Sequence, residues 1–365
     1  MTHFSHNFSG GPGALPDCVL QATRDALLEV QEVGLSLLGI SHRSSWFRDV
    51  VTEAEDHFKN LLSIPAGYHV LFLQGGGTQQ FSQIPMTLLR GQTQPAEYMH
   101  TGYWSGKSIP EARREGPVRV LWSGESEGFR RLPADDEFTA SPEASYFHYI
   151  SNETVEGMQF HRLPGHDAVP RMCDMSSDLL SRPVDVGRFG LIYAHAQKNL
   201  GPAGVTVVIV RDEIVQATPE GLPAMLDYRL HAAARSIYNT PPVFSIYVTM
   251  LVARWVRQTV GGLVRMNEIN QSKARLLYAT IDDSDGFYRG RAAVADRSLM
   301  NVVFNLATPA LEALFVQEAA AAGICGLEGH RSLGGSLRAS LYNAVSQEST
   351  EALVALMRSF SLRYR

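Results

Sequence analysis

Short apolar segments alternate with amphipathic ones of helical period along most of this chain. That alternation restricts the fold more than any other feature. Residues 68–73 (YHVLFL), 117–122 (PVRVLW), 145–150 (SYFHYI), 190–194 and 205–210 are rich in β-branched and aromatic side chains and read as short buried strands. Helical periods lie around them at 17–33, 49–62, 78–89, 243–260 and 263–281, the last two separated by Gly261-Gly262. Asp17 follows a proline and suits a helix N-cap, while Pro85 implies a kink in the third helix. Strands interleaved with helices imply an α/β fold, a mostly parallel sheet covered by helices on both faces. Beyond about residue 265 the pattern changes. Strands at 299–306 and 336–342 flank an Ala-rich helix at 309–322, and a helix at 350–364 closes the chain. The predicted organisation is a large domain at 16–264, a smaller α+β C-terminal domain at 265–365, and an N-terminal segment, 1–15, joining the small domain.

Size and composition agree with two domains. The chain has 365 residues, 45% of them hydrophobic, and a single core stops growing near about 250–300 residues. Charged residues make up 19%, below the roughly 25% of an average soluble domain, which argues against a disordered chain. Lys+Arg 32 against Asp+Glu 37 leaves a net charge of −5 with no basic tract, so nucleic-acid binding is not expected. Cys18, Cys173 and Cys325 lie far apart with no C-x-x-C or Cys/His zinc spacing. They read as reduced thiols of a cytoplasmic protein, with no disulfide framework and no metal site. The first 13 residues lack the apolar region of a secretion signal, and the longest clean apolar run, 205–210, is far too short to span a bilayer.

The chemistry concentrates in FGLIYAHAQKNLGPAGVTVVIV, residues 189–210. Lys198 follows one buried strand and precedes a Gly-Pro-Ala-Gly turn into another. Lysine is scarce in this chain, and here it sits among small and apolar residues. A desolvated amine loses the stabilisation of its charged form and becomes nucleophilic, the condition for a Schiff base with an aldehyde cofactor. The plain alternative is a lysine that snorkels from a strand end to solvent. Asp174 ends a short apolar stretch 24 residues earlier. A carboxylate there suits the ring nitrogen of pyridoxal phosphate, although Asp followed by Ser-Ser suits a helix N-cap equally well. Gly75-Gly76-Gly77-Thr78 leads from a strand into a helical run, where free backbone N–H groups can cradle a phosphate. Neither a dinucleotide fingerprint nor a Walker loop is present. Trp104, in a Gly-containing loop, could stack on a planar cofactor or simply pack in the core.

These residues, with Asn7-Phe8-Ser9-Gly10-Gly11-Pro12-Gly13, Ser41-His42-Arg43, Gly102-Tyr103-Trp104 and Ser151-Asn152-Glu153-Thr154, form an ordered set. Ala196-Gln197-Lys198-Asn199-Leu200-Gly201-Pro202-Ala203-Gly204, Tyr238-Asn239-Thr240-Pro241-Pro242 and Gly329-His330-Arg331 extend it. In order and spacing the chain resembles, over essentially its whole length, the phosphoserine aminotransferases of the class-V aminotransferase group, pyridoxal phosphate enzymes of fold type I. The resemblance implies pyridoxal 5'-phosphate as cofactor, bound covalently by Lys198, which also shuttles the proton. It implies that Asp174 pairs with the ring nitrogen, Trp104 stacks on the ring and Thr154 bonds the ring oxygen. It gives the cofactor phosphate to Gly77, Thr78 and Gln197, joined by Asn239 and Thr240 from the other subunit of a homodimer. It gives the substrate phosphate to His42, Arg43, His330 and Arg331, and the α-carboxylate to Arg338.

The implied reaction is ping-pong transfer between L-glutamate and 3-phosphohydroxypyruvate, yielding O-phospho-L-serine and 2-oxoglutarate. A phosphorylated hydroxythreonine on the route to vitamin B6 is a further candidate substrate. Guanidinium groups suit both ends of such molecules, because they bind phosphate and carboxylate bidentately. Two departures from the family pattern stand out. Thr78 stands where many members have arginine or a small residue, and one extra residue precedes Arg338 in Gly329–Ser340. A one-residue shift in a strand flips the following side chains, so a β-bulge is expected to keep Arg338 facing inward. A class-V enzyme acting on unphosphorylated amino acids, a cysteine desulfurase and a catalytically silent relative are the competing readings. The two His-Arg pairs disfavour the first, the cysteine positions the second and the presence of Lys198 the third.

Overall fold

The computed structural model describes residues 4–165, 167–330, 332 and 335–365. Seven strands form the central sheet: β1 (Tyr68–Leu73), β2 (Ala96–His100), β3 (Val118–Ser123), β4 (Phe147–Ile150), β5 (Arg171–Asp174), β6 (Leu191–His195) and β7 (Thr206–Arg211). Their spatial order is β1-β7-β6-β5-β4-β2-β3. β3, β2, β4, β5 and β6 run parallel, and β7 is antiparallel to both of its neighbours. The expected mostly parallel α/β sheet is therefore present.

Alternation along the strands divides two layers. Val70, Phe72, Tyr149, Cys173, Ile192, Val207 and Ile209 face one apolar cluster with Phe47, Val51 and Phe58 of α2 (Ser45–Leu61) and Ile246 of α5 (Val243–Arg254). Leu71, Leu73, Tyr98, Met172, Leu191, Tyr193 and Val208 face another, with Phe81 and Ile84 of α3 (Gly76–Leu88) and Ile109 of α4 (Tyr103–Arg113). Both faces are buried, as a parallel sheet requires.

A third cluster gathers Phe304, Leu337 and Ala339 of a small antiparallel sheet with Leu277 of α6 (Leu263–Asp282), Phe315 of α7 (Pro309–Ala321) and Phe360 of α8 (Gln347–Tyr364). Phe8 belongs to it, and His6–Asn7 pairs in parallel with Ile324–Cys325. The N-terminal segment is thus woven into the C-terminal layer.

Several local expectations are corrected. Asp17 is not a cap: Pro16 holds that position, and Asp17 opens α1 (Asp17–Leu28) without a side-chain cap bond. The helix stops at Leu28, short of residue 33, because Val30 turns back to bridge Leu35. The helical stretch 243–260 ends in a π-helical turn, Trp255–Val260, before Gly261 and Gly262 adopt left-handed φ of 92° and 99°. α3 continues through Pro85. Strands β2 and β5 and helix α4 were not anticipated.

Candidate active site

In open α/β sheets, ligands bind beyond the carboxyl ends of the strands. Here β5 ends on Asp174, and β6 leads into the loop that carries Lys198. Gly77 and Thr78 occupy the first turn of α3, and Trp104 the first turn of α4. These five residues and Gln197 line one open cleft, about 340 Å³ of empty space, joined by Phe81, Ser176 and His195. Trp104 therefore stands on a helix, not in the expected loop.

Lys198 Nζ donates to Thr154 Oγ1 at 2.5 Å, with Ser177 Oγ at 3.5 Å and the Trp104 ring centroid at 5.2 Å. Withdrawal from water pulls its pKa down to about 8. The neighbouring Asp174 carboxylate opposes that fall and Arg338 adds to it. A sizeable fraction of the amine is then free near neutral pH, which is what attack on an aldehyde requires.

Asp174 is buried at the strand end, so the helix N-cap reading does not hold, although its Oδ1 accepts the Ser176 N–H at 2.8 Å. Burial raises its pKa, and Lys198 opposes the shift. Gly77 leaves room beside it: a Cβ there would come within 3.5 Å of Asp174 Oδ2 and 3.6 Å of the Tyr193 ring.

Arg338 reaches the same cleft from the small antiparallel sheet, its Nη1 3.4 Å from the Thr154 carbonyl. The expected bulge is absent. Register from Leu337 to Ser340 against Phe304 to Asn301 is unbroken. Gly10 packs directly on the guanidinium, and a Cβ there would clash with it. Trp104 Nε1, Gln197 Oε1 and Arg338 Nε are buried without a partner among the described residues. Each such atom costs about 1–3 kcal/mol if left unsatisfied, so the cleft is built to receive a polar ligand.

His330 packs its ring against Tyr103 at 4.7 Å, next to Trp104, and Arg331 lies outside the described residues. His42 and Arg43 do not line the Lys198 cleft. They line a second pocket with Arg48, Arg235 and Ile237. Thr240 accepts from Gln74 Nε2 at 3.1 Å through its carbonyl, on the exposed surface beside the glycine turn, with Asn239 adjacent. Sequence reasoning missed Ser176, Ser177, His195, Glu153 and Glu156. The two serine hydroxyls stand two and three residues after Asp174, and that closeness was the signal available.

Residues 5–353 match the family model described as aminotransferase class-V. A phosphoserine aminotransferase of Laribacter hongkongensis is 50% identical over 359 residues, covering 98% of this chain and 99% of that one. The structure of phosphoserine aminotransferase from Bacillus circulans subsp. alkalophilus superposes with a TM-score of 0.95 at 46% identity, covering 98% of this chain and 99% of that one. A pyridoxal phosphate-bound phosphoserine aminotransferase from Trichomonas vaginalis superposes at 0.89 with 33% identity, over 97% of this chain and 99% of that one. With a lysine, an aspartate, a glycine turn and an arginine converging on one cleft, and with relatives matched over nearly their full lengths, the chain belongs to the class-V aminotransferases and, within them, to the phosphoserine aminotransferase family.

Proposed function

We propose that this chain transfers an amino group between L-glutamate and 3-phosphohydroxypyruvate, giving O-phospho-L-serine and 2-oxoglutarate. One observation carries the reading: Lys198 lines one cleft with Asp174, Gly77 and Trp104, where withdrawal from water pulls its pKa down to about 8. The cofactor is pyridoxal 5'-phosphate, and the cleft suits it. A carboxylate lies at the floor, the open face of Gly77 beside it, and unpartnered polar atoms of Trp104 and Gln197 surround it. When bound, the pyridinium ring supplies an electron sink for the substrate carbon that loses its proton.

The chain's own residues do the rest. Lys198 Nζ would take and hold the proton from the substrate Cα. Thr154 Oγ1 aims that amine and would bond the ring oxygen, and Asp174 would pair with the ring nitrogen. Trp104 covers the ring face. Gly77, Thr78 and Gln197 hold the cofactor phosphate at the positive end of α3. Arg338 pairs with the α-carboxylate, and His330 and Arg331 meet the substrate phosphate.

A homodimer completes this arrangement, with Asn239 and Thr240 reaching the cofactor phosphate of the other subunit. His42 and Arg43, which line their own pocket, serve a substrate only by entering the cleft of a second copy. Exposed Leu28, Leu35 and Leu38, at 77%, 51% and 73%, lie just before them in sequence and offer an apolar face for that copy to cover. The large domain ends near residue 264, and the segment 1–15 belongs with residues 265–365, in keeping with Phe8 in the third cluster. Three free cysteines, together with no helix among the described residues long and apolar enough to cross a membrane, favour the cytoplasm.

The test is a half-reaction on cofactor-loaded protein, followed by visible absorbance. O-phospho-L-serine is expected to bleach the cofactor rapidly and L-serine only slowly. Equal bleaching by both would discard the substrate and keep the transaminase. Arg43→Ala should raise KM for phosphoserine about tenfold while leaving activity on L-serine unaltered. An equal loss on both would remove Arg43 from the phosphate site.

A further inference from the structure

The turn between the short strands Asn152–Glu153 and Met158–Gln159 presents two carboxylates to the start of α4. Glu153 Oε2 accepts the Trp104 N–H at 3.2 Å, and its Oε1 accepts the Ser105 N–H at 3.1 Å and the Thr101 hydroxyl at 3.2 Å. Glu156 Oε1 accepts the Tyr103 N–H at 2.9 Å. Both side chains are buried, with exposures of 1% and 2%. Three consecutive backbone N–H groups of a helix start are thus held by two acids from about fifty residues away in sequence. The approach is close enough to demand glycine at 102. Its φ of 174° is ordinary extended backbone, but a Cβ would lie 2.5 Å from Glu156 Oε2 and 2.8 Å from Glu153 Cδ.

A single carboxylate suffices to complement a helix N-terminus. Burying a second beside it adds desolvation and like-charge repulsion, so stability alone does not explain the pair. What the pair holds does. Tyr103 carries the ring that packs on His330, and Trp104 carries the ring 5.2 Å from Lys198 Nζ. The same turn supplies Thr154, which bonds that Nζ, and its carbonyl meets Arg338. Two rings, a hydroxyl and an arginine of the cleft are therefore referred to one short segment.

We propose that Glu153 and Glu156 are positioning residues, a two-carboxylate clamp that locks the first turn of α4 and so fixes the Trp104 and Tyr103 rings over the Lys198 cleft. The clamp rests on the reading that Trp104 stacks on the cofactor. The two acids are not equivalent. The bonds to Glu153 all come from donors, which favours its carboxylate form against the burial that raises its pKa. Glu156 Oε2 has no partner among the described residues. Burial, and then Glu153, push the Glu156 pKa up to about 8, with Arg291 opposing. Burial raises the pKa of both acids, which favours one shared proton on the pair, and the donors around Glu153 favour its placement on Glu156. An ionised Glu156 would also act electrostatically on Arg338. A neutral Glu156 leaves that guanidinium free for a substrate carboxylate.

The experiment compares E153Q, E156Q and W104F as cofactor-loaded proteins. It reads the visible circular dichroism per bound cofactor, together with kcat and KM for O-phospho-L-serine. In E153Q an amide N–H₂ must face a backbone N–H. The visible ellipticity is expected to drop at least about twofold and KM to rise on the order of tenfold, with kcat changed less. In E156Q the amide replaces a protonated, partnerless oxygen, and both readouts should stay within about twofold of the parent. Loss of ellipticity in W104F but not in E153Q overturns the clamp alone. Loss in neither overturns the stacking of Trp104 and the clamp with it. An E156Q as damaged as E153Q overturns the placement of the proton. Should E153Q fail to fold, Glu156→Leu frees the Tyr103 N–H alone. A several-fold higher KM at full cofactor content then supports the clamp, and an unchanged KM overturns it.

Discussion

Lys198 stands in the loop beyond β6 at the carboxyl edge of the large sheet, and Lys273 stands on α6 among the C-terminal elements. Burial lowers the pKa of both, to about 8 and to about 7. The difference lies in what each amine meets. Lys273 is fully buried, and its Nζ donates to the carbonyls of Leu341, Tyr342 and Val345 at 3.1, 2.9 and 2.9 Å. Carbonyls only accept, so all three bonds need the ammonium, and they resist the deprotonation that burial favours. Lys198 meets the hydroxyls of Thr154 and Ser177, which accept from an ammonium and donate to a free amine. It also opens on a cleft. Desolvation makes an amine easier to deprotonate, and partners able to serve both protonation states make it usable in catalysis.

The largest test of this contrast exchanges each lysine for alanine. Lys198→Ala is expected to cut kcat/KM at least ~10⁴-fold, with the unfolding midpoint in denaturant hardly moved. Lys273→Ala should do the reverse. It leaves three carbonyls and a void, at about 3 kcal/mol of stability in urea unfolding, while kcat of the folded protein stays within about threefold. Turnover lost in both variants would erase the distinction. A smaller effect sharpens it. Thr154→Val deprives Lys198 of its two-way hydroxyl and should lower kcat about tenfold with cofactor content unchanged. The mildest test is one of pH. Folding depresses the Lys198 pKa below its ordinary 10.5, so the free amine prevails above about 8 and the group opposes folding as pH falls through that value. Acylation of the cofactor-free protein, mapped by peptide mass, should therefore rise at Lys198 with a midpoint near pH 8. Lys273 should remain unmodified throughout.

Much of the large sheet was legible because β1, β6 and β7 are largely apolar runs, and Lys198 was legible because it stands in the short loop between two of them. Strand β2 was not. Its sequence AEYMH places a glutamate in a fully buried position, where Glu97 is satisfied by Arg119 and by the Ser141 N–H. No local pattern announces a partner that distant. Helix α4 was missed for a related reason. Gly106 and Pro110 count against a helix, and the acids that hold its first turn come from residues 153 and 156. Asp174 was ambiguous because β5 has only four residues before Ser-Ser, too few to show a period. The position of Arg338 was ambiguous because one extra residue precedes it, and the unbroken register of Leu337–Ser340 rests on a partner strand more than thirty residues away.

The first residues of the chain finish the site that its middle begins. Gly13 donates its N–H to the Gln197 carbonyl at 2.8 Å, and the Tyr342 hydroxyl donates to the Gly10 carbonyl at 2.9 Å. Phe8 and Ser340 are joined the same way, through the Phe8 carbonyl and the Ser340 N–H at 3.1 Å. On a ribosome, roughly half a minute of synthesis separates the emergence of Gly10 from that of Tyr342. Through most of that interval His6, Asn7 and Phe8 have nothing to pair with, because Ile324, Cys325 and Ser340 are not yet made. The nascent chain holds its sheet, its lysine and its aspartate well before it holds Arg338 or the strand that seats Phe8. Capture of the cofactor in its final setting therefore belongs to the completed chain. A product truncated before residue 337 would present the aldehyde-reactive amine without the groups that give it a substrate.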